Sequence, residues 1–127
     1  MAGYTAKEEL LGATTQTLGA SVTAQAVTGE FRFSNPDSLN ELVDVRAASV
    51  TVGGGITAKL QDSWDKSTWF DVKSVAITAD GSFQIRTNVQ TTADQAVLPT
   101  RTFGRVVVTT GAASAVSITR VMRSTTL

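Results

Sequence analysis

The chain has 127 residues, neither cysteine nor histidine, and eleven basic side chains balanced by eleven acidic ones. That length fits one domain with a modest core, and the two missing residue types exclude disulfides, thiolate nucleophiles, cysteine-ligated zinc, the commonest general base and the commonest transition-metal ligand. Zero net charge leaves no broad electrostatic footprint for nucleic acid or an anionic membrane. No apolar run approaches the roughly 20 residues of a membrane span, and the N-terminus lacks the series of a signal peptide, so the chain reads as soluble and unprocessed.

Residues 1–28 read as an N-terminal arm. Thr5 and Glu8 are spaced as a capping box and Gly12 stands as a helix stop, which predicts one or two helical turns. So short a helix is marginal alone, and Leu10 and Leu11 need a surface to bury against, on this chain or on another subunit. From Leu11 to Gly29 the chain is uncharged and dominated by Ala, Thr, Gln, Ser and Gly. That composition suits either a linker or an extended arm whose backbone adds to a neighbour's sheet.

From residue 29 to 127 the pattern becomes short stretches rich in Val, Ile, Phe and Thr, separated by turn residues. Strands are predicted near Val27–Phe33, Glu41–Val52, Ile56–Asp62, Trp69–Ala76, Ser82–Thr87, Phe103–Thr110 and Ala115–Met122. Turns fall at Asn35-Pro36-Asp37, Gly53-Gly54-Gly55, Asp62 to Ser67, Ala79-Asp80-Gly81 and Gly111-Ala112-Ala113. Strict alternation turns Ile56, Ala58 and Leu60 to the core, and likewise Val116 and Ile118. Val106-Val107-Val108 lacks alternation and reads as covered on both faces, in a central or an interface strand. About seven strands imply an all-β fold, a two-sheet, jelly-roll-like β-sandwich, with a small barrel as the fallback.

Charge position adds a second signal. Up to Asp94 the acids outnumber the bases eleven to seven, whereas Arg101, Arg105, Arg120 and Arg123 follow with no acid among them. These arginines belong either to solvated strand faces opposite acids or to a basic edge that docks on an acidic partner.

The run from Lys59-Leu60-Gln61-Asp62-Ser63-Trp64-Asp65 through Lys66-Ser67-Thr68-Trp69-Phe70-Asp71-Val72 precedes Arg105-Val106-Val107-Val108-Thr109-Thr110-Gly111 and a final Ala115-Val116-Ser117-Ile118 strand. Together these resemble the small β-sandwich virion proteins of tailed bacteriophages over residues 40 to 120. Lys66 stands where that pattern often has glycine. The resemblance implies a capsid decoration or cement protein at the capsid surface of a virion. Such a protein, trimeric or dimeric, clamps the major capsid protein lattice; a tail, baseplate or fibre-tip module contacting the host surface is the alternative. On that reading Leu10, Leu11, Trp64, Arg101, Arg105, Val107, Arg120 and Arg123 are the subunit or capsid contacts. The chain would associate with itself by edge pairing of its late strands.

Catalytic and ligand chemistry finds little footing. Asp62, Asp65, Asp71 and Asp80 lack the spacing of a calcium loop and a partner acid in an apolar pocket for glycoside hydrolysis. Gly53-Gly54-Gly55 precedes no helix and no Lys-Ser/Thr, so it reads as a flexible hairpin loop rather than a phosphate cradle. Phe31, Phe33, Phe70, Phe83 and Phe103 are scattered about one per strand, as core residues are, rather than as a nucleic-acid stacking platform. No enzyme activity, cofactor, metal, nucleic acid or membrane partner is expected. Of the two tryptophans, Trp69 is expected inside the sandwich and Trp64 at a partner contact.

Overall fold

The computed structural model describes residues 5–10, 15–33, 40–87 and 101–126. Leu11, Gly12 and the turn at Asn35-Pro36-Asp37 lie outside the described residues. The described chain is all β and forms ten strands. They are β1 (Thr5–Glu9), β2 (Gln16–Leu18), β3 (Gln25–Ala26), β4 (Phe31–Arg32), β5 (Asn40–Thr51), β6 (Ile56–Ser63), β7 (Phe70–Ala76), β8 (Gly81–Arg86), β9 (Phe103–Thr110) and β10 (Ala115–Thr126).

Two antiparallel sheets face each other. Sheet I runs β1-β10-β5-β8, with β2 also on β10; sheet II runs β3-β9-β6-β7, with β4 also on β9. The pairing is nested: β6 pairs with β7, β5 with β8, β3 and β4 with β9, and β1 and β2 with β10. One long antiparallel ribbon folded over itself in this way, then sealed by β10 on β5 and β9 on β6, is a jelly roll.

Alternation is what separates core from solvent. Val43, Val45 and Ala47 of β5, Ile56, Ala58 and Leu60 of β6, Val106 and Val108 of β9, and Val116, Ile118 and Val121 of β10 form the buried cluster between the sheets. Each such Val, Ile or Leu side chain withdrawn from water stabilises the fold by roughly 1.5–3 kcal/mol. In β10 the inward phase shifts at a register irregularity between Ile118 and Arg120, so that Val121 and Arg123 face inward and Arg120 outward. A second irregularity in the same pairing lies where Ser49 takes a φ of 52°. There Asp80 Oδ1 accepts the Val50 N–H at 2.8 Å and so satisfies an amide beside the displaced ladder.

The N-terminal segment departs from expectation. Thr5–Glu9 is a strand antiparallel to Met122–Thr126, not a helix. A strand supplies ladder partners for backbone groups that an isolated helical turn would leave marginal. Leu10, expected to need a surface, is half-buried against the core, and its N–H donates to Val121 O at 2.8 Å. The Thr-rich stretch does augment a sheet, but that sheet belongs to the same chain. Val27 N–H donates to Val106 O, the Val106 N–H is taken by Thr28 Oγ1, and Thr110 Oγ1 accepts from Val22 N–H while donating to Gly19 O.

Gly53-Gly54-Gly55 is also not a flexible hairpin loop. It carries the chain from sheet I to sheet II, and it packs backbone to backbone on the β9–β10 crossover: Gly54 N–H donates to Ala112 O at 2.7 Å and Gly111 N–H to Gly55 O at 2.7 Å. A Cβ on Gly111 would lie 2.5 Å from the Gly54 carbonyl carbon, whereas one on Gly19 would meet nothing within 4 Å. Gly111→Ala is therefore expected to destabilise the protein by about 1–3 kcal/mol, as overpacking does. Gly19→Ala should stay within about 0.5 kcal/mol of the wild type. Urea unfolding of the two variants side by side checks this, and equal midpoints would contradict it.

Candidate interaction surface

The β6–β7 connection is a turn held by its own short side chains. Ser63 Oγ accepts the N–H groups of Asp65 (3.2 Å) and Lys66 (2.9 Å), and Asp65 Oδ1 accepts those of Ser67 and Thr68, both at 2.9 Å. Lys66 adopts a φ of 63°, the left-handed conformation for which glycine is the usual choice; its ammonium lies 4.7 Å from the Phe103 ring centre. This network fixes the backbone on which Trp64 stands, and Trp64 is 63% exposed. The carboxyl of Asp65 is held below its ordinary value by the Thr68 N–H first, then by the Ser67 N–H and the Ser63 hydroxyl.

Beside this turn, guanidinium groups sit over aromatic rings. Arg101 stacks 3.8 Å from the Phe70 centroid and Arg105 4.3 Å from that of Trp69. Each arginine is also hydrogen-bonded within the chain. Arg101 Nη1 donates to the buried Asp62 Oδ1 at 2.9 Å, and Arg105 Nε donates to Gln61 Oε1 at 2.9 Å. Gln61 Nε2 in turn donates to Asp71 Oδ1 at 2.8 Å, and Asp71 meets Lys59 at 3.5 Å. Burial lowers the Arg105 pKa from its ordinary value, with Glu30 opposing.

The outer face of sheet I carries a different feature. Leu42, Asp44 and Arg46 of β5, Ser82 of β8, and Arg120 and Met122 of β10 line an open concavity of about 320 Å³. Arg46 and Arg120 stand opposite each other in register. Asp44 Oδ1 is buried there with no hydrogen-bond partner among the described residues.

The residues singled out in the sequence are thus dispersed. Trp64 is on the surface, as expected of a contact. Arg101 and Arg105 face outward but are engaged with Asp62, Phe70, Gln61 and Trp69. Arg120 is exposed in the concavity on the opposite sheet. Arg123 is 6% exposed and points inward, 4.7 Å from the Phe31 centroid and 5.4 Å from that of Phe33. Val107 is 1% exposed, with its backbone paired to Ala26 on one side and Lys59 on the other. Neither β9 nor β10 is an edge strand, so edge pairing through the late strands is closed to this fold. Trp69 is half-buried under Arg105 outside the core, and Phe70, also counted as core in the sequence, is 42% exposed. The extra residue that β7 carries opposite Leu60 and Gln61 leaves Gln61 opposite Asp71 and Asp62 opposite Phe70 at this end of the strand. The sequence reading missed Asp44: one acid in an alternating strand shows no sign of lacking a partner.

The aspartates once weighed as calcium ligands each have other work. Asp62 meets Arg101, Asp65 closes the turn, Asp71 meets Lys59 and Gln61, and Asp80 takes the Val50 amide. Among the described residues no group of three or more acids could hold a metal ion, and no helix is long and apolar enough to cross a membrane.

The fold and this surface define a jelly-roll sandwich with an aromatic and cationic outer end. No family model matches the chain, and no curated protein matches it. Among solved structures it is similar to a protein of Bacillus described under "Bacillus endospore appendages form a novel family of disulfide-linked pili". The TM-score is 0.50 at 13% identity, covering 98% of this chain and 88% of that one. A looser likeness, with a TM-score of 0.38 at 16% identity, is to PirA, covering 89% of this chain and 93% of that one. The capsid-decoration reading and its tail or fibre alternative are corrected accordingly. The fold, across nearly the whole chain, is one found in a protein of endospore pili. The phage resemblance rests on its short runs alone, and the expected place on a capsid surface rested on the same reading.

Two outcomes follow from the contacts. Arg101→Ala should cost about 2–3 kcal/mol of folding stability, because the buried Asp62 carboxylate loses a charged hydrogen bond. The exposed Arg46→Ala should cost no more than about 0.5 kcal/mol. Denaturant melts compare them, and equal losses would remove the structural role of Arg101. For Asp65 the folded value is depressed, so its contribution is complete above the unfolded value of 3.8 and is lost as pH falls through the lower folded one. In an NMR titration the Ser67 and Thr68 amide signals should hold their positions down to that range and move only below it. With Asp65→Asn that movement should vanish.

Proposed function

We propose that this chain is a non-catalytic structural subunit that assembles with copies of itself into an appendage-like polymer, held by non-covalent contacts. The observation that carries the reading is Trp64. A tryptophan 63% exposed on a turn fixed by its own hydrogen bonds costs the folded monomer solvation and yields it no core, which is the condition of an interface anchor. The stacked Arg101 and Arg105 beside it add the residue type most enriched with aromatics at protein interfaces. The likeness in fold to a protein of disulfide-linked pili supports the same reading. The absence of cysteine requires the linkage here to be of another kind.

Sedimentation velocity and negative-stain electron microscopy over a concentration series test it. Assemblies larger than a closed dimer or trimer are expected, unchanged by a thiol reductant. A monomer persisting to roughly 1 mM, where contacts of about 4 kcal/mol would already be visible, would overturn the proposal.

A further inference from the structure

Among the described residues three large apolar side chains are exposed, and they lie at the two ends of one strand. Trp64 and Phe70 stand where β6 passes into β7, and Val52, 47% exposed, stands just before β6 begins. The eight residues of β6 hold those ends roughly 25 Å apart. Next to Val52 the surface is nearly bare backbone: Gly53 and Gly54, both exposed, pack closely on the exposed Ala112, and the Gly54 N–H to Ala112 O bond holds them there. A rigid backbone surface beside an aliphatic side chain receives a flat ring with little ordering cost.

Charge divides between the same two ends. At the turn, the Asp65 carboxylate is answered by the Ser67 and Thr68 amides, whereas the Lys66 ammonium lies over the Phe103 ring and pairs with no acid among the described residues. At the corner meet residues 19–22, 47–57, 76–81 and 109–115, which carry one charged side chain among them. That is Asp80, exposed, with Oδ1 on the Val50 amide. One end therefore offers an aromatic ring beside a cation, and the other an aliphatic and backbone surface beside an anion.

We infer that Trp64 of one copy packs on the corner formed by Val52, Gly53, Gly54 and Ala112 of the next copy, with Lys66 facing that copy's Asp80. The two patches sit at opposite ends of β6, so each copy carries both. Such a contact is heterologous: it repeats along the strand direction without closing unless the rotation happens to make a ring, and so builds a filament. This inference rests on the self-assembly proposed above and adds the mating ends.

The test uses the full chain with Trp64→Ala, which removes the ring, and Ala112→Arg, which puts bulk and a second cation on the corner from an exposed position. Circular dichroism melts should match the wild type for both. Each variant alone should associate about 30-fold or more weakly than wild type, the scale of losing an interface hot spot. Mixed in equal amounts they should form a one-to-one complex and stop there, because only one intact turn and one intact corner remain. For the charge pair, Lys66→Asn suits the left-handed backbone at that position, and Asp80→Asn keeps an oxygen for the Val50 amide. Each should weaken assembly about twofold to fivefold at low salt, and the double variant little further, as direct coupling requires. If wild type assembles and Trp64→Ala or Ala112→Arg assembles equally well, or if the mixture does not pair, the mating ends are wrong while self-assembly stands. Additive losses in the Lys66 and Asp80 double variant would remove the charge contact. If Ala112→Arg does not fold, Val52→Arg takes its place as the corner variant in the mixture. A wild type that stays monomeric overturns both.

Discussion

At one end of the sandwich, where β5 passes into β6 and β9 into β10, the chain meets itself backbone to backbone. Gly53 and Gly54 lie so close to Gly111 and Ala112 that side chains between them would clash, and paired N–H to carbonyl bonds hold the two crossovers together. Both crossovers carry the chain from one sheet to the other, so this contact fixes where four central strands begin or end. Ser114 adds to it, its hydroxyl accepting the Gly53 N–H at 3.0 Å. With β5 and β10 paired on one side and β6 and β9 on the other, the remaining strands are added outward from a common corner.

From that corner the sheets divide the side chains into a dry interior and two unlike outer faces. The outer end of sheet II consumes its charges locally: Asp62 with Arg101, Gln61 with Arg105, Asp71 with Lys59. Stacking lets the guanidinium groups cover Phe70 and Trp69 while keeping their polar edges for hydrogen bonds. On the outer face of sheet I, Arg46 and Arg120 lie opposite each other in register, and Asp44 Oδ1 has no hydrogen-bond partner among the described residues. Among the described residues Trp64 is the most exposed of the large apolar side chains, on a turn fixed by its own hydrogen bonds.

In a jelly roll the outer faces are decoupled from the core. In β6 the inward Ile56, Ala58 and Leu60 maintain the fold, and the outward Thr57, Lys59 and Gln61 can vary without touching it. That independence lets similar sandwiches be built from sequences only 13% identical. Stability here must come from burial and backbone pairing, and among the described residues the longest unbroken ladder runs between β6 and β9.

Much of the architecture was legible from local pattern. Alternation in Ile56 to Gln61 gave the core face of β6, Val106 to Val108 marked a strand with neighbours on both sides, and Phe103–Thr110 has the bounds predicted for it. These are properties of a two-residue period, which any stretch of sequence displays by itself. The arm was beyond local reading, because a Thr-rich uncharged segment pairs equally well with its own sheet or a neighbour's, and only the position of β9 and β10 decided for its own. Arg123 and Arg120 look alike in the sequence. A register shift between Ile118 and Arg120 sends one inward onto Phe31 and Phe33 and leaves the other outside. Trp69 was misplaced for a related reason, since an apolar ring at a strand start is core only if the strand enters in that phase, and an extra residue in β7 changes it. The sequence by itself determined the all-β class, the core faces and the absence of thiol and imidazole chemistry, all set by residue type and short-range period. Tertiary structure alone decided which charges are spent inside the chain and which side chains stay exposed, because those depend on partners brought together across dozens of residues by the register of the sheets.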